Sequence, residues 1–291
     1  MLQPPATLIL GASGSGKSSS LVTAIPAGLE LFVVCTEPGG PESLLDWCRQ
    51  IKADVNKLHW TSVLPATQGW TGLESMARQI SAMDFESLSK IKSGIGKDAT
   101  RPAATKLLGA FANFHCERTN KDFGDVTTWG PNRMLALDSL SGLSVISWAL
   151  TVGHKPTAHM GEWNIAMNFI RDLLMKLTTD RSCYFTLTAH IEKETNEITG
   201  VQQIMASTLG RKLAPTIPRF FSEVVYAQRT MAEPRFRWST IDSQVELKNR
   251  GLPLSDKLPQ DFRLIVDAYN ARLKDLGMAQ QPSSLAPPSA A

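Results

Sequence analysis

Gly11-Ala12-Ser13-Gly14-Ser15-Gly16-Lys17-Ser18 matches G-x-x-x-x-G-K-[ST] at every position. Glycines at this spacing let successive backbone N–H groups turn inward as an anion nest, and a helix opening at the end of the loop adds positive potential. Lys17 then reaches the β- and γ-phosphates of a nucleotide as a mobile point charge. The Ser18 hydroxyl supplies a ligand for Mg²⁺, and Ser19 ends the binding stretch. The pattern is specific for a nucleoside triphosphate, because its context is a buried strand before it and a helix after it.

Four further places carry groups suited to the same chemistry. Asp138 ends the run Met134-Leu135-Ala136-Leu137. A carboxylate at the carboxyl end of a core strand can hold the Mg²⁺ water shell beside Ser18, or it can cap the next helix. Glu37 stands just past a second apolar run and can orient the attacking water, the other reading being a turn residue before Pro38. The position directly after Asp138, where many phosphate-loop ATPases carry a catalytic Glu, is Ser139. His190 ends the run Tyr184 to Ala189, where it can sense a γ-phosphate or serve only structure. Lys248 and Arg250 lie on one side of an extended segment, as a solvated surface pair or as a finger that stabilises transition-state charge.

These residues need strands to hold them. Residues 6–10, 31–35, 133–137 and 184–189 read as buried strands. Helical pattern follows at 17–27, 41–51, 72–83, 104–118 and 162–178, so strand and helix alternate as in a doubly wound sheet. Residues 86–103 show no period and predict a mobile basic loop. A loop of about 30 residues is expected after His190, then an antiparallel hairpin at 223–228 and 235–240 and a last strand at 244–247. Residues 279–291, rich in Pro, Ser and Ala, predict a disordered tail.

Composition sets the outer bounds. The chain has 291 residues, 43% of them hydrophobic and 20% charged, with a formal net charge of +3. A sizeable core is expected, and a nucleic-acid partner is permitted but not demanded. Cys35, Cys48, Cys116 and Cys183 are widely spaced, which argues against a disulfide framework or a zinc site and for a reducing compartment. No apolar run is long enough for a membrane span, so no membrane association is expected.

The phosphate loop at 11–18, Glu37, the strand ending in Asp138, Thr188-Ala189-His190 and Lys248-Asn249-Arg250 stand in the order found in RecA-like ATPase cores. Over roughly residues 5–255 the chain resembles phage-encoded RecA-like proteins, a group that includes Sak-type single-strand annealing recombinases. Leu209-Gly210-Arg211-Lys212, Phe220 to Val224, and Arg237-Trp238-Ser239-Thr240 add to the resemblance. His190 departs from the glutamine usual in RecA. The resemblance implies an α/β fold: a RecA-like P-loop NTPase core with a mostly parallel twisted sheet, flanking helices and an antiparallel C-terminal extension, forming one domain over 1–278. It implies ATP and Mg²⁺ as ligands, and ATP hydrolysis involving Lys17, Glu37, Asp138, His190, Lys248 and Arg250. It also implies a cytoplasmic homo-oligomer, ring or filament, whose Lys248 and Arg250 act on the neighbour's nucleotide.

By the same resemblance, single-stranded DNA lies along loops after the Asp138 and His190 strands. Lys155 belongs to the first, and Lys193, Arg211 and Lys212 to the second, with a single-strand-binding protein as a possible further partner in recombination or replication. The basic stretch from Lys90 to Lys121 is either another phosphate contact or a solvated loop. Two other classes remain open: a P-loop kinase of a small molecule, and a nucleotide-binding assembly protein without DNA-dependent turnover.

Overall fold

A computed structural model describes residues 2–65, 70–81, 101–153, 158–195, 202–210, 212–231, 233 and 235–278. Its centre is an eight-stranded sheet. The strands, in chain order, are β1 (Ala6–Gly11), β2 (Glu30–Cys35), β3 (Leu58–Ser62), β6 (Arg133–Asp138), β7 (Tyr184–Ala189), β10 (Glu223–Arg229), β11 (Phe236–Ser239) and β12 (Leu258–Pro259). Across the sheet the order is β12-β11-β10-β1-β7-β6-β2-β3. Strands β10 to β3 along this order run parallel, whereas β11 and β12 are antiparallel additions at one edge. The fold is therefore α/β with a large, mostly parallel sheet.

Alternation along each strand divides the core into two layers, since successive side chains point to opposite faces. Leu8, Leu10, Phe32, Val34, Leu135, Leu137, Phe185 and Leu187 face one side and are covered by α4 (Arg101–Ala112), α5 (Leu140–Thr151) and α6 (Met160–Thr179). Ile9, Leu31, Val33, Met134, Ala136, Tyr184, Val225 and Trp238 face the other, under α1 (Lys17–Leu21), α2 (Gly40–Gln50) and α7 (Arg263–Asp275). Helix α3 (Trp70–Ser81) follows β3. Both faces of the central strands are buried, which is why they read as continuous apolar runs.

Several expectations need correction. The helix expected over 104–118 starts at Arg101 and stops at Ala112. The amide of Phe114 then bonds Gly124 O at 3.0 Å and that of Phe123 bonds Phe114 O at 2.8 Å, turning the chain into a small hairpin of β4 (His115–Cys116) and β5 (Lys121–Asp122). Of the expected loop at 86–103, residues 86–100 lie outside the described residues, and 101–103 are helical. Helix α1 is shorter than expected, continuing as a 3₁₀ turn over Val22–Ala24. The long loop after His190 holds a hairpin, β8 (Ile191–Thr195) with β9 (Gln202–Ala206), and a 3₁₀ segment over Ala214–Phe220. Residues 244–247 form no ladder strand: single bridges join Val245 to Ile204 and Lys248 to Val224. The tail at 279–291 lies outside the described residues. Among the described residues, no helix is long and apolar enough to cross a membrane.

Candidate functional site

Strands β1, β7, β6 and β2 are consecutive neighbours in the sheet. Their carboxyl ends deliver, in that order, the phosphate loop, His190, Asp138 and Glu37. Ligand crevices of open parallel sheets lie outside these ends. Residues far apart in sequence thus converge because each terminates a buried parallel strand.

The loop itself requires its glycines. A Cβ on Gly11 would collide with Ser15 Oγ and stand 2.7 Å from the Ala227 carbonyl. Gly16 has φ +89°, and a Cβ there would lie 2.5 Å from Gln260 Oε1 and 2.9 Å from Phe236. Lys17 is buried, and its Nζ donates to the carbonyls of Gly11 and Ala12, each at 2.9 Å. Burial lowers the Lys17 pKa, an effect opposed by the carboxylates of Asp138 and Glu37. Enclosed by the loop, the Ser15 hydroxyl has no hydrogen-bond partner. A cation held by two loop carbonyls beside an unmet hydroxyl is a donor set suited to phosphate oxygens.

Asp138 is buried, and the Thr188 hydroxyl hydrogen-bonds its carboxylate. Burial raises its pKa, and the hydrogen bonds of Thr188 and Ser18 oppose that shift. Ser18 and Asp138, the expected Mg²⁺ pair, stand close enough for Ser18 to lower the Asp138 pKa. A hard dication suits this all-oxygen set and would neutralise the buried carboxylate. Capping of α5 falls instead to Ser139, whose Oγ accepts from the Ser141 amide at 3.2 Å.

Ser139 has a second task. Its hydroxyl donates to Glu37 Oε1, while the Thr36 hydroxyl accepts from Ser139 N at 2.8 Å and donates to Ser139 O at 2.9 Å. Glu37 is thereby clamped from the neighbouring strand end. On its other oxygen, Glu37 Oε2 is 3.5 Å from His190 Nε2, and His190 Nδ1 is 3.5 Å from Lys17 Nζ. One neutral tautomer, protonated on Nε2, serves both contacts: the Lys17 ammonium donates to Nδ1 and Nε2–H donates to Glu37. His190 links the phosphate-loop cation to the carboxylate.

Lys248 and Arg250 are not part of this cluster. Lys248 bridges to Val224, and the Arg250 amide donates to both oxygens of the buried Glu223 carboxylate, at 3.2 and 3.0 Å. Glu223 opens β10, whereas Gly11 is level with Ala227 on the same strand. That is about 13 Å of strand at roughly 3.3 Å per residue, placing the pair toward the opposite end of the sheet. Burial raises the Glu223 pKa, and Arg250, Arg272 and Lys248 oppose the shift.

Of the residues expected at DNA, Lys193 is exposed on β8 and Lys212 is exposed near the 3₁₀ segment. Lys155 and Arg211 lie outside the described residues. In the basic stretch from Lys90 to Lys121, Lys106 bonds Ser62 O at 2.7 Å and pairs with Glu117 at 3.7 Å. Arg118 donates to Leu58 O at 3.1 Å and lies over Trp60. These two cations brace the β3 edge.

Thr36 and Gln260 lie outside the sequence reading, and Thr188 enters it only within the Thr188-Ala189-His190 run, with no role of its own. Thr186 and Thr188 carried a usable signal, two hydroxyls at strand period in an apolar run. Gln260 carried none: its Nε2 bonds Ser15 O at 2.8 Å from 245 residues away in sequence. Compared with known proteins, the chain matches no family model and no curated relative.

Proposed function

We propose that this chain is an ATP-hydrolysing, RecA-like protein that acts on single-stranded DNA in phage recombination or replication. The observation that carries the reading is the convergence of Lys17, Asp138, Glu37 and His190 on four adjacent strand ends, tied by the Ser139–Glu37–His190–Lys17 chain of contacts.

In this reading the loop amides and Ser15 hold the phosphates, and Lys17 exchanges the Gly11 and Ala12 carbonyls for phosphate oxygens. Its desolvated ammonium is worth more there than in water. Ser18 and Asp138 would hold Mg²⁺, which would supply charge neutralisation to the phosphates. Glu37, fixed by Ser139, accepts the proton of the water that attacks the γ-phosphorus. When Lys17 turns to the phosphates, His190 loses one of its two partners. Its carbonyl accepts from the Ser207 amide at 2.7 Å, at the base of the β8–β9 hairpin, so a change at the nucleotide reaches the element that carries Lys193. Support for DNA comes from the resemblance and from this connection.

ATP hydrolysis measured with and without single-stranded DNA tests the proposal. Turnover stimulated by DNA is the expected result. Phosphoryl transfer to a metabolite, indifferent to DNA, would point to a kinase, and binding without turnover to an assembly protein.

A further inference from the structure

The C-terminal extension is fastened to the chain on both sides of α1. Gln260, directly after β12, donates from Nε2 to Ser15 O at 2.8 Å and to Arg237 O on β11 at 3.1 Å. Two residues on, the Phe262 amide donates to Thr23 Oγ1 at 2.9 Å, and that hydroxyl donates to Ser20 O at 2.6 Å. Phe262 is fully buried and meets Trp238 edge to face, with centroids 5.4 Å apart. The segment that carries both tethers is therefore anchored in the core.

The tether on Ser15 has a direction. A peptide unit is planar, and in the trans form its C=O and N–H point to opposite sides. The Ser15–Gly16 peptide is trans. With the Ser15 carbonyl turned to Gln260, the Gly16 N–H is turned away from it. The loop's own turn bond, from Ser15 N to Ala12 O at 3.2 Å, holds the preceding peptide instead. Gly16 is also wedged in place: at φ +89°, a Cβ there would lie 2.5 Å from Gln260 Oε1 and 2.9 Å from Phe236. One side-chain amide thus both bonds and packs against the last peptide before Lys17.

We infer that Gln260 is a positioning residue for the phosphate loop, which aims the Gly16 N–H at the phosphates and makes the C-terminal extension part of the nucleotide site. The inference rests on the nucleotide reading above and adds a residue outside the loop on which phosphate affinity depends. Gln260 does not touch the ligand. It keeps one backbone donor preorganised, and that donor serves the bound ground state and the transition state alike. Its loss weakens binding and leaves kcat nearly unchanged.

The test measures the affinity for MgATP and for magnesium tripolyphosphate by calorimetry, together with kcat and melting temperature. The proteins are wild type, Gln260→Met, Gln260→Ala and Thr23→Val. Gln260→Met keeps the chain length and removes the donor, and Gln260→Ala replaces it if the thioether prevents folding. Thr23→Val cuts the other tether and leaves Ser15 untouched, so it reports what loosening the extension does by itself. Each Gln260 variant is expected to lose about tenfold in affinity for both ligands, with kcat at saturation within about twofold of wild type. Thr23→Val is expected to melt lower and to bind both ligands as wild type does. Unchanged affinity in a folded Gln260 variant, or an equal loss in Thr23→Val, would overturn the positioning role while the nucleotide reading stands. Failure of wild type to bind either ligand would overturn that reading and this inference with it.

Discussion

Asp138 shows what the site costs the protein that carries it. A buried carboxylate near Glu37 and Lys17 is held by the Thr188 hydroxyl, and burial raises its pKa above the ordinary 3.8. A carboxyl whose pKa is raised by folding favours the fold when protonated, and that contribution is lost as pH climbs through the folded pKa. Without nucleotide or Mg²⁺, Asp138→Asn should therefore melt higher than wild type at neutral pH. The gain should be on the order of 1 kcal/mol, about 2–4 °C. The gap should close as pH falls toward 3.8, and thermal melts across that range check it. Glu37→Gln keeps the shape and the Ser139 contact but removes the proton acceptor. It should bind ATP normally and turn it over about 10²- to 10⁴-fold more slowly, as steady-state kinetics would show. The glycine-rich turn at 11–18 is legible in sequence because its motif is written in contiguous residues. The clamp on Glu37 is not, because Thr36 and Ser139 come from different strands and neither side chain is unusual where it stands.

At the scale of elements, the strands that deliver the site were the most readable part of the chain. Strands β1, β2, β6 and β7 are buried on both faces and appear as apolar runs ending in polar residues. Strand β3 was missed because its buried positions include His59 and Thr61; His59 is accommodated by Glu30 at 3.1 Å and by stacking on Phe32. Helix α5 was missed for the opposite reason: its sequence is apolar or small nearly all round, so no stripe marks it. Helix α7 does carry an apolar stripe at Ile265, Val266 and Tyr269. Docking of α5 depends on Gly142, where a Cβ would strike the Thr36 hydroxyl and carbonyl. Gly142→Ala should destabilise by about 1–3 kcal/mol and also slow turnover, since Thr36 positions the Ser139–Glu37 clamp. Gly109→Ala on α4, where a Cβ meets nothing within 4 Å, should instead stabilise by about 0.5–1 kcal/mol. Melting temperatures and kcat for both variants separate local crowding from a general effect of removing glycine.

At the scale of the whole molecule, Lys248 and Arg250 sit toward the opposite end of the sheet from the phosphate loop of their own chain. The expected strand before them is replaced by single bridges, because β11 occupies only the far half of the β10 edge and residues 244–250 pass along the near half. A head-to-tail contact between copies would bring this end to a neighbour's loop. Mixing Lys17→Ala protomers with Arg250→Ala protomers should then restore part of the activity that each lacks alone. No recovery would leave the two cations as partners of Glu223.

Every part of the account depends on the phosphate loop turning over ATP with Lys17 as its cation. The direct test is steady-state MgATP hydrolysis by wild type beside folded Lys17→Ala, with matching melting curves as the control. The account predicts turnover in wild type and its loss in Lys17→Ala without loss of the fold, since the loop carbonyls that hold Lys17 do not need it to close. Equal hydrolysis by both proteins, or none by wild type with or without single-stranded DNA, would contradict it.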